Sequence, residues 1–345
     1  MAQINKSSDY FNTVLYTGNG TDNTGITGVG FQPDWLWIKC RSNADDHPIT
    51  DSVRGVTKFL FTNNTNAEAT TTARIKSLDS DGFTLGTAGD VNTNTRTYVA
   101  WNWLADNTSG SSNTDGSITS TVSANTTSGF SIVTWTGTGA NATVGHSLGS
   151  VAKMIMVKRR DTTGRWQVYH NSLGATKYLF LDGSEAAQTA SNRWNDTTPT
   201  SSVFSLGSSA EVNASGGTYI AYCFSEVKGY SKFGSYTGNG NADGTFVYTG
   251  FKPAFVIIKG STNTEFWVMH DNKINNFNVS SKVLFPNANY AEVDDPTNKS
   301  LDILSNGFKL RASDIGQNGS GETYIYMAFA ESPLVGTNNI PAVAR

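Results

Sequence analysis

The chain has 345 residues, a formal net charge of −3 and only 15% charged side chains. No basic stripe is present to neutralise phosphates, so nucleic-acid binding is disfavoured, and the longest apolar runs, such as Met154 to Val157, are too short to span a bilayer. Thirty-four glycines and long Asn, Ser and Thr tracts with little charge suit turn-rich β structure and a surface facing the exterior.

Residues 1 to about 10 read as a short polar arm, and the opening Met-Ala-Gln-Ile-Asn-Lys lacks the apolar core of a secretory signal. The chain then repeats itself. Tyr16-Thr-Gly-Asn-Gly20 returns as Trp135-Thr-Gly-Thr-Gly139 and as Tyr236-Thr-Gly-Asn-Gly240. Gly30-Phe-Gln-Pro-Asp-Trp-Leu-Trp-Ile-Lys39 returns as Gly149 to Lys158 and as Gly250 to Lys259. Landmarks at a fixed spacing mean three copies of one folding unit. Thr57 to Leu60 matches Thr176 to Leu179 and, more loosely, Ser281 to Leu284; Ser80-Asp-Gly-Phe83 matches Ser305-Asn-Gly-Phe308.

Each copy closes on an aromatic strand in which Val99, Trp101 and Trp103 alternate with smaller or polar neighbours. Ile220, Tyr222, Phe224 and Ile325, Met327, Phe329 are the siblings. Period-2 alternation of this kind predicts half-buried strands with these nine residues inward. The runs Trp35 to Ile38 and Phe255 to Ile258 predict strands buried on both faces, and helix is expected for less than about 15% of residues. The fold class is therefore all-β, with three tandem homologous β-sandwich domains. The expected division is 1–105 with the arm, a Ser/Thr/Asn/Gly-rich linker at 106–127, 128–226, and 227–345 ending in a docking tail, Leu334 to Arg345. Ile118 and Val122 could form a short edge strand within the linker.

With the repeat laid out, the chain resembles a family of repeated, uncharacterised domains encoded by marine tailed bacteriophages, often near virion genes. The residues that carry the resemblance are Asp9 to Thr13 with Tyr16 to Gly20, Gly30 to Lys39, Asp51-Ser-Val-Arg-Gly55 with Thr57 and Lys58, Asp79 to Phe83, Tyr169 to Lys177 and Tyr219 to Phe224. The resemblance implies a virion structural or host-recognition role and sandwiches of jelly-roll or lectin-like type, and supplies no ligand or active site. Copy three departs most, with Lys273 to Ser280 replacing the Ser-Leu-Gly-Ala turn.

Chemistry-bearing motifs are few. Gly145-His-Ser-Leu-Gly149 satisfies the Gly-x-Ser-x-Gly pattern, but a strand rather than a helix is expected to follow Ser147, which falls in register with Gly28 and Tyr248, so a turn is the better reading. Asp79-Ser-Asp-Gly82 resembles the start of a calcium loop, yet lacks the later Glu and reads as a hairpin turn. Four isolated histidines show no metal-ligand spacing, and Cys40 and Cys223 are expected as free, buried thiols. Lys39, Lys158 and Lys259 end the same strand in each copy and read as edge-strand gatekeepers, the competing reading being anion contacts. Trp166 and Trp267 lie in alternating apolar runs and are expected in the core. Trp194, within Ser-Asn-Arg-Trp-Asn-Asp, is expected to be exposed.

No catalytic residue, metal site or cofactor is expected, and the protein is not expected to be an enzyme. The expected ligand-binding residues are Trp194, Asn195, Asp196, Asn287 and Tyr290, on loops that differ among copies (184–198, 273–280 and 287–298), where aromatic faces would stack on sugar. The expected function is a phage virion-surface adhesin that binds host glycan, with a capsid or tail decoration protein as the alternative. Expected partners are other virion proteins, host surface glycan and further copies of the chain, without nucleic acid or membrane insertion.

Overall fold

In a computed structural model that describes residues 3–333, the chain is all-β, with 43% strand and 5% helix. Each repeat builds one larger sheet on the same plan: the opening strand pairs antiparallel with the closing strand, which pairs on its other side with the strand that ends in lysine. These trios are Phe11–Thr17, Thr97–Trp103 and Trp35–Cys40; Phe130–Thr136, Thr218–Ser225 and Ala152–Arg159; Ser231–Thr237, Thr323–Pro333 and Phe251–Gly260. The register sets Tyr16 opposite Tyr98, Trp135 opposite Tyr219 and Tyr236 opposite Tyr324, with each pair of rings stacked. A smaller sheet covers each larger one: Thr24–Thr27, Gly82–Leu85 and Ile75–Asp79; Ala142–Gly145 and Val203–Leu206; Phe246–Tyr248, Gly307–Leu310 and Leu301–Leu304. Each repeat is thus a β-sandwich.

The geometry explains the Thr-Gly-x-Gly signature. A Cβ on Gly18, Gly137 or Gly238 would lie 2.3 Å from a backbone carbonyl oxygen, of Thr93, Ala214 and Gly319 respectively, so no other residue fits. The second glycines, Gly20, Gly139 and Gly240, have φ of 70°, 78° and 66°. A buried asparagine holds each turn: Asn92, Asn213 and Asn318 accept from the N–H of Asn19, Thr138 and Asn239. Their amides donate to the carbonyls of Gly86, Gly207 and Ala312. The turn itself thus supplies the partners that a buried polar side chain of this kind requires.

The nine alternating residues of the closing strands are all buried, as expected, but the core they enter is not their own. Val99, Trp101, Trp103, Ile220, Tyr222, Phe224, Ile325, Met327 and Phe329 belong to one hydrophobic cluster that all three repeats share. Trp35 of repeat 1 stacks on Tyr222 of repeat 2 at 4.4 Å, and Phe11 of repeat 1 stacks on Phe329 of repeat 3 at 5.0 Å. The alternate residues fill the core between the two layers of each repeat: Tyr98 and Ala100, Tyr219 and Ala221, Tyr324 and Ala328. The closing strands are consequently buried on both faces, where half-burial was expected.

The contacts close into a ring. The strands Pro48–Asp51, Gln167–His170 and Val268–Asp271 occupy equivalent places, and the last residue of each reaches the next repeat. Asp51 accepts from Tyr222 Oη at 2.7 Å; His170 Nε2 donates to Tyr326 O at 3.2 Å; Asp271 accepts from Trp101 Nε1 at 3.0 Å and Thr13 Oγ1 at 2.7 Å. Repeat 1 therefore touches repeat 2, repeat 2 touches repeat 3, and repeat 3 returns to repeat 1.

Lys39, Lys158 and Lys259 are fully buried on strands that have partners on both sides, which corrects the gatekeeper reading. Their ammonium groups tie loops together. Lys39 Nζ donates to Asn43 O, Asp45 O and, across the seam, Asn289 O at 3.2 Å. Lys158 Nζ donates to Gly164 O and, across the next seam, Thr65 O at 2.9 Å, while Lys259 Nζ donates to Gly260 O and Asn263 O. Burial pushes all three down to about 8.

The 106–127 segment is not simply a linker. Ser111–Asn113 and Ser120–Asn125 extend the large sheet of repeat 2, and Ile118 and Val122 are buried because their apolar side chains join the core of that repeat beside Val133 and Val144. The polar arm likewise carries an anchor: Ile4 is buried in the shared core, and Gln3 exchanges hydrogen bonds with Lys228. The expected docking tail, Leu334 to Arg345, lies outside the described residues.

A pH dependence follows from His170. Its Nε2–H donates to a carbonyl and its Nδ1 accepts from Ser172 N at 3.2 Å, so the neutral ring is built in. Burial holds His170 down at about 4, against about 6.5 in an unfolded chain. Between those values the unfolded chain binds more protons, so this contribution to stability, intact above pH 6.5, is lost as pH falls towards 4. At pH 5 the loss is about 2 kcal/mol. Thermal melts at pH 7 and pH 5 should show this drop, and His170→Gln should shrink it; an equal drop in the variant would assign the acid sensitivity to other groups.

Candidate functional site

The expected binding residues separate into two groups on different repeats. Trp194 ends the helical turn Ser191–Trp194, which swings its ring inward: it is 2% exposed, meets Tyr169 edge-on at 6.0 Å and donates from Nε1 to Lys177 O at 3.1 Å. It is a core residue, and the expectation that it forms an open stacking platform is corrected. The polar run around it misled because the turn exposes Asn195 and Asp196 while burying the ring. Asn195 accepts from Asn141 Nδ2 at 2.7 Å. In repeat 3, Asn287 is buried and accepts from Trp267 N at 3.1 Å, which gives it a structural task. Tyr290 is 50% exposed and rests edge-on against Phe266 and Phe285. Trp166 and Trp267 are buried as expected, their Nε1 groups donating across seams to Phe61 O and Phe180 O.

The two motif look-alikes are turns. Ser147 has φ 55°, accepts from Asn113 Nδ2 at 2.8 Å and leads into a strand, without the helix that a nucleophile elbow requires. Asp81 accepts from Gly30 N at 2.6 Å and Gly28 N at 3.1 Å, contacts that hold its carboxyl below the usual range. Asp79 accepts from Thr84 within the same hairpin. Cys40 and Cys223 are free and buried.

The seam between repeats 1 and 3 contains a cleft of about 370 Å³ lined by Asn12, Thr13, Asn272, Lys273 and Glu331 among others. Lys273, from the segment in which copy three departs, donates to Asn12 Oδ1 at 2.8 Å and to Thr13 O. Asn272 donates to Glu331, which also pairs with Lys252 at 3.2 Å. These groups largely satisfy one another, so the cleft reads first as an inter-repeat clamp.

A more distinctive feature is the small sheet of repeat 3. Val247 faces inward, as do its equivalents Ile26 and Val144, each paired with a phenylalanine of the next strand: Phe308, Phe83 and Phe204. The flanking positions are Gly25 and Thr27 in repeat 1, Thr143 and Gly145 in repeat 2, but Phe246 and Tyr248 in repeat 3. This pairing also moves Tyr248 out of register with Ser147. Phe246 and Tyr248 are 44% and 57% exposed. The large hydrophobic residues that remain exposed among those described are Leu15 in repeat 1 and Phe246, Tyr248, Phe277, Val279, Tyr290 and Ile315, all in repeat 3. Phe246 and Tyr248 escaped the sequence reading because an aromatic at strand spacing is usually core. The signal that could have found them was Gly or Thr at the same positions of both siblings.

Fold and site together define an all-β protein of three sequence repeats, the third of which presents aromatic side chains to solvent. A sequence profile for a domain of unknown function, DUF7483, matches residues 6–333, and the chain belongs to that family. No curated protein and no solved structure matches it.

Proposed function

We propose that the chain is a tailed-phage virion-surface protein, a host-recognition adhesin that binds cell-surface glycan through its third repeat. The observation that carries the reading is the concentration of exposed aromatic side chains on one repeat while its siblings carry Gly and Thr at the corresponding strand positions. Contiguous exposed apolar side chains mark interaction sites, and rings present the flat faces on which sugar C–H patches stack. The resemblance to phage-encoded virion-type repeats supplies the setting; other virion proteins and further copies of the chain would be its structural partners. The reaction chemistry of an enzyme is not part of this reading.

The test is binding of purified, labelled chain to host cells and to a glycan array, alongside bare capsids and tails. Saturable binding to cells or glycans is expected. Binding confined to capsids or tails would instead favour a decoration or cement protein.

A further inference from the structure

We infer that the outer face of the Phe246–Tyr248 strand is a stacking site for a neutral, pyranose-containing polysaccharide. The inference rests on the adhesin reading and names the ligand class and the place.

The strand register sets the site. Phe246 lies opposite Lys309, which lies opposite Asp302, and these three share the outward face; Tyr248 lies opposite Gly307, which carries no side chain. Two residues apart on one strand face, Phe246 and Tyr248 stand roughly 7 Å from each other, a spacing that lets neighbouring sugar rings of one chain each meet an aromatic. Polar groups adjoin the rings. Asp243 pairs with Lys309 at 2.5 Å and Arg311 pairs with Asp302 at 2.6 Å. Two carboxylates and two cations cancel, so the face offers hydroxyl-binding donors and acceptors without a net field. A polyanion would need uncompensated cations, as phosphate binding does, and a bilayer surface would favour an excess of basic residues. The face therefore complements an uncharged polyhydroxylated chain.

The substitutions that test this are already present in the siblings: Phe246→Thr, as Thr143 in repeat 2, and Tyr248→Thr, as Thr27 in repeat 1. Both side chains are exposed, so the melting temperature of the double variant should match that of the parent. The full chain is run in affinity electrophoresis against soluble glucan, mannan and galactan, with a sulfated galactan as the charged control, at low and high salt. The expected result is retardation by at least one neutral polysaccharide, little affected by salt, and weakened about tenfold or more in the double variant. Equal retardation of parent and variant would overturn this site while leaving the adhesin reading in place, with Tyr290 and Phe277 next to be replaced. Retardation only by the sulfated polymer would overturn the neutral-ligand assignment. No retardation, together with no binding to host cells, would remove the adhesin reading and this site with it. A variant that is monomeric where the parent self-associates would reassign the face to a contact between copies.

Discussion

Trp101→Ala should destabilise the whole molecule, not one third of it. Trp101 is fully buried in the cluster shared by the three repeats, packs edge-on against Phe255 of repeat 3 at 5.7 Å and donates from Nε1 to Asp271, also of repeat 3. Truncation removes the ring's burial and leaves a cavity where three sheets meet, a loss of about 3–5 kcal/mol. Asp271 would lose one of the donors that offset its own burial, although Thr13 and Lys273 N remain. Chemical denaturation followed by tryptophan fluorescence and by far-ultraviolet circular dichroism should show one shifted transition by both probes. A shift confined to a fraction of the signal would mean that repeat 1 unfolds alone.

Arg54→Met should be comparably severe, through electrostatics. The guanidinium has no exposed surface and binds Asp51 at 2.5 Å, Glu68 at 3.2 Å and Tyr222 Oη at 3.2 Å. Glu68 in turn holds Arg160 of repeat 2 at 2.8 Å, so the network crosses the seam. Burial alone would drive the guanidinium towards neutrality, but the carboxylates around it hold its pKa above the ordinary arginine value. Removing the cation strands a buried Asp51 carboxylate, and breaking a pair in this way costs about 3–5 kcal/mol. Arg54→Met combined with Asp51→Leu should recover part of that loss, because no unpaired charge then remains at the centre. Urea titrations of parent, single and double variants measure it; a double variant less stable than Arg54→Met would show that the carboxylate does more than pair with Arg54.

What the sequence disclosed, and what it hid, follows from how the repeats are built. Landmarks such as Tyr16 to Gly20 are local: two glycines and an aromatic satisfy one turn, so the repetition and the strand character of these segments could be read directly, whereas the pairing of Tyr16 with Tyr98 is set by the sheet and appears only in the structure. The facing of Trp101 was also legible, since alternation is a local property. Where that face is buried was not, because period 2 says that a side is apolar without saying what covers it. The three buried lysines were misread for the same reason: a charge at a strand end is gatekeeping at an edge but a carbonyl anchor where the strand is covered on both sides. Trp194, expected exposed, is buried by a single helical turn, and Tyr248, which the sequence did not single out as a surface residue, is exposed on a strand. Polar neighbours predicted the first wrongly, and only comparison with Thr27 and Gly145 marks the second.

The central claim is that three sandwiches form one closed unit around a common core, with recognition added on the third. Differential scanning calorimetry of the full chain tests it most directly. One endotherm is expected, with calorimetric and van't Hoff enthalpies equal, as for a single cooperative transition. Two or three resolvable endotherms, or a calorimetric enthalpy several times the van't Hoff value, would show repeats that unfold independently and would contradict the account.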